Sequence, residues 1–357
     1  MDQYLAPIVA RFALDAPAAS CERFGNGHIN DTYLVTAGNG KRYVLQRINH
    51  HVFKDVAGLM ENFTAVTEHL RQKNNDERCV LHLIPASDGS AYVKHTDGTY
   101  WRMNDYIEGS ICLDAPESPE DFYQSAVAFG NFQQQLVDFP AATLHETIPN
   151  FHNTQDRYRI FHEVLAADPE GRAKDVQAEI EFALAHEAEA SILVNQQRDG
   201  LLPLRVTHND TKLNNVMLDK ATRKPLCVID LDTVMPGLSL YDFGDSIRFG
   251  AATAAEDEKD LSKMEMDLGL YRTFTEGFLS ACPGLTDQEV KMLPMGAKLM
   301  TLECGVRFLT DYLDGDHYFS IHREGHNLDR ARTQFKLVAD MESKWDQMNA
   351  IVAQARA

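Results

Sequence analysis

The chain has 357 residues and a formal net charge of −19, with 44% hydrophobic and 24% charged residues, which is an ordinary globular composition with length enough for two lobes. The acidic balance argues against a nucleic-acid partner, because nucleic acid is itself anionic. No stretch has the apolar length of a membrane span, so no membrane partner is expected. The six cysteines are dispersed and form no C-x-x-C pair, so we expect neither a zinc site nor disulfides and favour a cytoplasmic protein.

Residues 22–48 predict three strands that are separated by glycine-bearing turns. Gly25 and Gly27 lie in the first turn, and a second turn at residues 37–40 leads into the third strand. Glycine lets a backbone approach a phosphate closely enough for its N–H groups to bond it. Gly25 and Gly27 are therefore candidate nucleotide-binding residues, although most G-x-G pairs are ordinary hairpin turns.

Arg47 is the best-placed candidate cation of the third strand, and Lys41 and Arg42 are less well placed. No lysine stands at the position that a phosphate-binding cation would occupy. Arg47 could meet a phosphate group, or it could be a solvated strand residue. Residues 53–72 repeat apolar side chains at helical spacing and predict a helix next in the chain. Glu61 or Glu68 of that helix could pair with Arg47, and the sequence does not choose between them.

Residues 80–92 and 100–107 predict further strands, interrupted by Asp-Gly turns. Ser118 then begins a helix that extends to about residue 137, because Ser is a favourable N-cap and Pro119 suits the first helical position. A second long helix is predicted over residues 176–195. The chain therefore changes from strands to helices soon after residue 107.

The most informative stretch begins at His208 and continues to Asp230. His208, Asp210 and Asn215 match the pattern H-x-D-x-x-x-x-N, and an apolar hairpin after them ends in Asp230. Phosphoryl transfer needs a carboxylate that orients the acceptor hydroxyl, and an Asn and an Asp that hold Mg²⁺ against nucleotide phosphates. A polar turn between two strands is the plainer alternative. The spacing favours a kinase loop, with Asp210 as the catalytic residue and Asn215 and Asp230 as metal ligands.

The letters D-F-G occur at residues 242–244, but they stand too late in the chain to be the metal-binding motif of a kinase. Asp230 already ends the hairpin at the expected place. We therefore interpret Asp242 as a structural carboxylate that supports the catalytic loop from below. Asp232 could add to the metal shell or could point away from it.

Two more helices are predicted in the C-terminal third. Thr286 and Glu289 form a capping-box pattern ahead of a helix over residues 292–313, and a final amphipathic helix is expected over residues 328–355. Arg307 lies among apolar neighbours on the first of these helices, so it would need a partner if it were buried.

These stretches together resemble the aminoglycoside phosphotransferase/choline kinase superfamily of small-molecule kinases. The resemblance is carried by residues 25–33, 44–47, 207–210, 215, 229–232 and 241–244. Residues 27–30, 205–215, 242–251 and 303–309 further resemble the members that phosphorylate N-acetylhexosamines at C1.

The resemblance implies an α+β, bilobal, protein-kinase-like fold of the aminoglycoside phosphotransferase type. A small β-rich nucleotide-binding lobe would cover residues 1–107, and a large, mainly helical lobe with the catalytic loop and substrate site would cover residues 108–357. In a kinase the linker after the small lobe's last strand bonds the adenine, which points to Asn104 and Tyr106.

The implied activity is ATP- and Mg²⁺-dependent transfer of the γ-phosphoryl group to the anomeric hydroxyl of N-acetylglucosamine or N-acetylgalactosamine. Asp210 would orient that hydroxyl, and Arg307 and Tyr318 would hold the sugar. From the residues alone, Arg307 could equally form a structural salt bridge and Tyr318 could be a core residue. The expected partners are ATP and a small sugar, and we expect a monomer or a weak dimer.

Two other functions are compatible with the same residues. The first is a kinase of the same superfamily that acts on choline or ethanolamine, homoserine or an aminoglycoside. The second is a nucleotide-binding regulatory module without turnover, which the intact Asp210, Asn215 and Asp230 argue against.

Overall fold

Five short strands pair as one antiparallel sheet in the first part of the chain. They are β1 Ala18–Arg23, β2 Asp31–Ala37, β3 Arg42–Ile48, β4 Val93–Lys94 and β5 Tyr100–Asp105. Their order in the sheet is β1-β2-β3-β5-β4. The central strands β2, β3 and β5 contain most of its aromatic and β-branched residues. The computed structural model describes residues 2–25 and 29–356.

The sheet register places neighbouring residues of β3 on opposite faces, because side chains alternate along a strand. Tyr43 and Leu45 are fully buried in a core cluster that also contains Trp101. Gln46 is directly opposite Arg102 of β5, on the other face of the sheet. The residue that follows, Arg47, is opposite Asp31 of β2.

The remaining strands are short, and the predicted hairpin after the H-x-D loop is confirmed. They are β6 Ser110–Cys112, β7 Arg205–Thr207, β8 Val216–Asp219, β9 Pro225–Val228 and β10 Met235–Gly237. The hairpin strands β8 and β9 form a sheet in the order β6-β8-β9.

The chain divides into two compact units. One comprises Met1–Cys112, Asp138–Pro149 and Met217–Pro236, and the other comprises Leu113–Val137, Asn150–Val216 and Gly237–Ala357. The first holds the five-stranded sheet, and most helices belong to the second. The α+β fold class that the sequence predicts is confirmed, whereas the lobe boundary at residue 107 stays a prediction.

The helices of the described residues are numbered in chain order. They are α1 Leu5–Val9, α2 Val56–Lys73, α3 Pro119–Gln135, α4 Thr154–Ala167, α5 Gln177–His186, α6 Ile192–Arg198, α7 Ser239–Gly250, α8 Leu268–Ala281, α9 Asp287–Asp314, α10 His326–Ser343 and α11 Trp345–Arg356. Within residues 2–25 and 29–356, no helix is both long enough and apolar enough to cross a bilayer.

Both predicted N-terminal caps are confirmed. Ser118 accepts a hydrogen bond from the backbone of Asp121, whose side chain bonds back to Ser118, and Thr286 and Glu289 form the same reciprocal pair at the start of α9. Each box satisfies backbone donors that the first helical turn leaves without partners.

Three predicted elements are wrong in detail. Residues 80–92 form isolated bridges at Leu83 and Ala86 instead of a strand, because Pro85 lacks the N–H that a ladder needs. The helix predicted over residues 176–195 is interrupted by a 3-10 segment at Glu187–Ser191. The helix predicted over residues 328–355 is divided in two at Lys344: α10 ends before it, and α11 begins after it and packs against α8 and α9.

The 3-10 segment illustrates how a tertiary contact overrides local helix propensity. Glu189, which lies within it, forms an ion pair at 2.7 Å with Lys298, a buried residue of α9. A buried ammonium group needs such a partner. Helices α4, α7 and α8 were not predicted, and they complete the helical core.

Helix α7 contains the D-F-G letters, and there they are packing residues. Phe243 is buried edge-to-face against Phe274 and Phe278 of α8. A Cβ added at Gly244 would lie 2.4 Å from the backbone oxygen of Gly296, so these two glycines let α7 and α9 approach closely. This close packing fixes the position of α7, whose carboxylates bind the backbone of the loop described below.

We expect Gly244→Ala to lower the free energy of unfolding by about 1–3 kcal/mol, because the added methyl group must push α7 away from a backbone oxygen. Urea denaturation followed by circular dichroism measures this change. Gly38→Ala is the matched control, since a Cβ there makes an ordinary 3.5 Å contact. Equal midpoints for the two variants would contradict the packing role.

Candidate active site

The loop after β7 is held from within the protein by aromatic packing. His208 is fully buried, and its ring packs against Phe129 and Phe132 of α3 at centroid distances of 5.6 and 5.9 Å. The backbone N–H of Asp210 donates to His208 Nδ1 at 3.3 Å. His208 therefore shapes the loop and presents Asp210, and it is not itself exposed to a substrate.

Asp242 supports the same loop through its backbone. The N–H groups of His208 and Asn209 donate to the two oxygens of Asp242 at 2.9 and 2.8 Å, and Gln133 donates its amide as well. Asn209 needs this support because its φ of 65° lies in the left-handed region. The structural role predicted for Asp242 is thus confirmed.

Burial raises the pKa of the Asp242 carboxyl, while His208 and the donated hydrogen bonds act in the opposite direction. The side chain is completely enclosed. Such a group keeps its place only because each oxygen has a donor.

Asp245, one turn further along α7, is a second residue that supports the loop, and it was not predicted from the sequence. It accepts the backbone N–H of Thr211 at 3.2 Å and pairs with Arg248. Burial opposes its charge, yet Arg248, His152 and Lys212 hold the pKa of Asp245 below its usual value. The three-residue spacing from Asp242 could have indicated it, since such residues share one helix face.

Asp210 itself is partly open to solvent, with its side chain 25% exposed. Asn215 Nδ2 donates to the backbone oxygen of Asp210 at 2.7 Å and to its Oδ2 at 3.0 Å. Lys212 Nζ lies 3.1 Å from the same Oδ2. A positioned, accessible carboxylate of this kind can accept a hydrogen bond from a hydroxyl group.

Asn215 and Asp230, the two predicted metal ligands, both carry oxygen atoms that suit a hard cation. The amide nitrogen of Asn215 is engaged by Asp210, so the orientation of the amide leaves Oδ1 on the other side, where no hydrogen bond is made among the described residues. Asp230 has a φ of 59° at the end of the hairpin. One amide oxygen and one carboxylate are ligands that Mg²⁺ accepts, with phosphate oxygens and water completing its shell.

Asp232 is committed elsewhere. Its two oxygens accept hydrogen bonds from Arg102 and from Asn30, and its side chain is 3% exposed. The alternative in which Asp232 joins the metal shell is therefore not favoured. No group of three or more His, Cys, Asp or Glu side chains within residues 2–25 and 29–356 has a metal-binding arrangement.

The candidate nucleotide residues all lie in the first unit. Gly25 has a φ of 71°, which favours glycine, while Gly27 lies outside the described residues. Arg47 is 45% exposed and pairs with Asp31. Glu61 bonds His145 at 2.7 Å, so it is not the helix partner of Arg47.

Asn104 and Tyr106 follow at the end of β5. Asn104 is buried, and its Oδ1 has no hydrogen-bond partner in the part of the chain that the structure describes. The Arg42 guanidinium stacks over the Tyr106 ring at 4.0 Å.

Arg307 lies in an aromatic setting in the second unit. Its guanidinium is within 6 Å of the ring centres of Phe151, Tyr318 and Phe319, and it donates to the Tyr318 hydroxyl at 3.4 Å. Tyr318 is 67% exposed, so the alternative of a core tyrosine is wrong. Among the described residues Arg307 forms no ion pair, which argues against the structural salt bridge as well.

A buried carboxylate lies one helical turn before Arg307. Glu303 accepts hydrogen bonds from His152 Nδ1 at 3.0 Å and from Thr154 at 2.8 Å. Burial opposes the charge of Glu303, but His152, Arg307 and Arg157 together lower its pKa. Burial and repulsion by Arg307 also lower the pKa of Arg157, so two guanidinium groups interact with each other and with Glu303 in this cluster.

The fold and the loop define a small-molecule kinase. A family model described as the phosphotransferase enzyme family, abbreviated APH, matches residues 20–267 of the chain. The match covers more than half of the sequence, and the protein belongs to this family.

Solved structures share the fold at low sequence identity. An aminoglycoside phosphotransferase from Alicyclobacillus acidocaldarius is 14% identical, with a TM-score of 0.61 over 98% of this chain and 94% of the other. An amicoumacin kinase, hAmiN, in complex with AMP-PNP, Ca²⁺ and Ami is 12% identical, with a TM-score of 0.60 over 96% of this chain and 93% of the other. A microcompartment-associated aminopropanol kinase is 16% identical, with a TM-score of 0.59 over 97% and 98%.

We expect Asp242→Asn to lower the free energy of unfolding by about 1–3 kcal/mol, because its amide nitrogen would face a backbone donor that then loses its acceptor. Phosphoryl transfer should fall with it as the loop relaxes. Asp287→Asn, a fully exposed change on α9, is the control. Urea midpoints and initial rates measure both effects, and a wild-type midpoint for Asp242→Asn would contradict the supporting role.

Proposed function

We propose that the protein is an N-acetylhexosamine 1-kinase, which transfers the γ-phosphoryl group of ATP to the C1 hydroxyl of N-acetylglucosamine or N-acetylgalactosamine. The observation that carries the proposal is that one unit of the chain contains both the accessible carboxylate of Asp210 and the arginine- and aromatic-rich cluster around Arg307. The sequence resemblance to kinases of this specificity adds support.

The charge of this cluster favours a neutral acceptor over a cationic one. Arg157 and Arg307 both interact with Glu303, a buried carboxylate whose oxygens already accept hydrogen bonds from His152 and Thr154. Choline or an aminoglycoside would bring a positive charge toward two guanidinium groups, which costs electrostatic energy. A sugar offers hydroxyl and carbonyl oxygens that guanidinium groups can bond and a ring face that can lie on an aromatic residue.

The cluster and the catalytic loop both contact helix α7. The His152 ring lies 5.3 Å from the ring of Tyr241 on α7, and Asp242 and Asp245 of the same helix accept backbone N–H groups of the loop. These interactions support an acceptor site that extends from Asp210 toward Arg307 and Tyr318.

In the proposed reaction Asp210 orients the attacking hydroxyl. Asn215 and Lys212 both contact Oδ2 of Asp210, and Oδ1 is the oxygen proposed to accept the hydrogen bond from the C1 hydroxyl. The Asn215 amide nitrogen is used by Asp210, and its amide oxygen is the atom proposed to bind the metal.

Asn215 and Asp230 are the proposed Mg²⁺ ligands, and bound Mg²⁺ would offset charge on the β- and γ-phosphate oxygens of ATP. Gly25, Gly27 and Arg47 are proposed to contact the phosphates. Asn104 and Tyr106 are proposed to contact the adenine. Arg47 would have to exchange its ion pair with Asp31 for a phosphate, which its exposure permits.

The function is tested by ³¹P NMR of the purified protein with ATP, Mg²⁺ and separate acceptors. The panel contains N-acetylglucosamine, N-acetylgalactosamine, choline, homoserine and an aminoglycoside. We expect an anomeric sugar phosphate with the first two only. A product with choline, homoserine or the aminoglycoside instead would overturn the sugar assignment while leaving a kinase of the same family.

Asp210→Asn should reduce kcat by about 10²–10⁴-fold, because the amide cannot accept the proton of the attacking hydroxyl. The equilibrium affinity for ATP, measured by calorimetry, should stay close to that of the wild type. Turnover near the wild-type rate would show that another residue orients the hydroxyl.

Arg307→Lys should raise KM for the sugar about tenfold and leave KM for ATP unchanged, because lysine keeps the charge but loses the planar, stacked guanidinium. Arg159→Lys, an exposed change on α4, is the control. Steady-state kinetics with each substrate varied in turn measures the split. An equal rise in both KM values would argue against a sugar-binding role.

A further inference from the structure

Arg102 is a buried cation on the face of the sheet opposite the core cluster. It is 1% exposed, forms an ion pair with Asp232, and donates through Nε and Nη2 to Gln46 Oε1 at 3.0 and 2.9 Å. Its guanidinium also lies 4.9 Å from the ring centre of Phe63 on α2. A guanidinium so enclosed is tolerated only because its donors are used.

The place of this cation in the sheet differs from the usual kinase arrangement. Kinases carry a lysine on the third strand that pairs with a glutamate of the following helix, and this pair must be in place for activity. Here β3 has the neutral Gln46 opposite Arg102 of β5, so the buried positive charge lies on β5 and not on the third strand. Its carboxylate partner is Asp232, and α2 presents Phe63 toward it instead of a glutamate.

Asp232 also accepts a hydrogen bond from Asn30, which lies just before β2. Asn30 Nδ2 donates to Asp232 Oδ2 at 2.5 Å, and Asn30 Oδ1 accepts the backbone N–H of Asn49 at 2.9 Å. One chain of hydrogen bonds thus joins three segments: Asn30, the backbone of Asn49 directly after β3, and Asp232.

Helix α2 is tied to the same segment by a second contact. Asn62 donates to the backbone oxygen of Val234 at 3.1 Å and to that of His145 at 2.8 Å. Residues 231–234 follow Asp230 directly. They are held by the side chains of Arg102 on β5, Asn62 on α2 and Asn30.

We propose that Arg102 is a positioning residue that fixes Asp230 for Mg²⁺-dependent nucleotide binding by clamping Asp232 two residues later. Asp230 adopts a left-handed backbone conformation, with a φ of 59°, that a non-glycine residue keeps only when its surroundings enforce it. Arg102 and Asn30 supply that enforcement through Asp232. The proposal rests on the proposed function for the role of Asp230 as a metal ligand.

The test measures ATP affinity by calorimetry with and without Mg²⁺, in the absence of any acceptor. The variant is Arg102→Met combined with Asp232→Asn, which removes both buried charges together and leaves an amide oxygen at position 232 that can still accept from Asn30. We expect the thermal midpoint and the Mg²⁺-free affinity to stay near the wild-type values. The gain in affinity that Mg²⁺ confers should fall by about 10- to 100-fold, as is usual when a residue supporting a metal ligand is lost.

Three further variants make the result decisive. Asp230→Asn should lose the Mg²⁺-dependent gain to a similar extent, and Arg78→Lys, at a partly exposed ion pair in the same unit, should not. Arg102→Lys keeps the buried charge but cannot reach Gln46 and Asp232 together, so its Mg²⁺-dependent gain should fall about threefold or more. It gives the readout if the double variant fails to fold.

A full Mg²⁺-dependent gain in either folded Arg102 variant would overturn the proposal and leave the pair a purely structural one. If Asp230→Asn also kept the full gain, the metal assignment of the proposed function would be what fails. Failure of the acceptor panel would leave this test unaffected, because no acceptor is present in it.

Discussion

A buried carboxylate that accepts backbone N–H groups is the constraint on which the catalytic loop depends. Asp242 holds the backbone of His208 and Asn209, and Asp245 holds that of Thr211. A loop cannot satisfy these donors by itself, because its left-handed turn at Asn209 directs them into the protein. The position of Asp210 is therefore set by α7, which in turn depends on the glycine contact with α9.

Each of the two units contains a buried carboxylate whose oxygens accept hydrogen bonds, but the carboxylates have different roles. In the second unit the carboxylates of α7 hold a loop, and in the first unit the Asp232 carboxylate is held by Arg102 and Asn30. In both cases a charged group is enclosed and accepts hydrogen bonds from polar donors in distant parts of the chain. Enclosure makes each interaction strong, and it makes the loss of a single donor costly.

The net charge of the chain says little about the charge of the acceptor. The charged groups around Glu303 are more informative. A total of −19 would suit a cationic ligand, yet the cluster around Glu303 contains two guanidinium groups and a histidine. Short-range interactions within the cluster outweigh the diffuse surface charge, which solvent and salt screen. This local balance supports the proposal of a neutral acceptor.

Much of the fold and part of the candidate site could be predicted from the sequence. The capping boxes at Ser118 and Thr286, the three N-terminal strands and the hairpin before Asp230 follow from local rules of capping, alternation and turn formation, which act between neighbouring residues. The spacing of His208, Asp210 and Asn215 indicated the loop, and the position of Asp230 distinguished it from the D-F-G letters at residues 242–244.

Only the tertiary structure decided the partners of the charged residues. Arg47 was the candidate from its strand position, but the structure pairs it with Asp31 and reveals Arg102 as the buried cation. The breaks at residues 187–191 and at Lys344, and the exposure of Tyr318, also depend on contacts far apart in the chain. Local sequence determines which elements form, and long-range packing determines which polar groups meet, because burial and pairing are properties of the assembled chain.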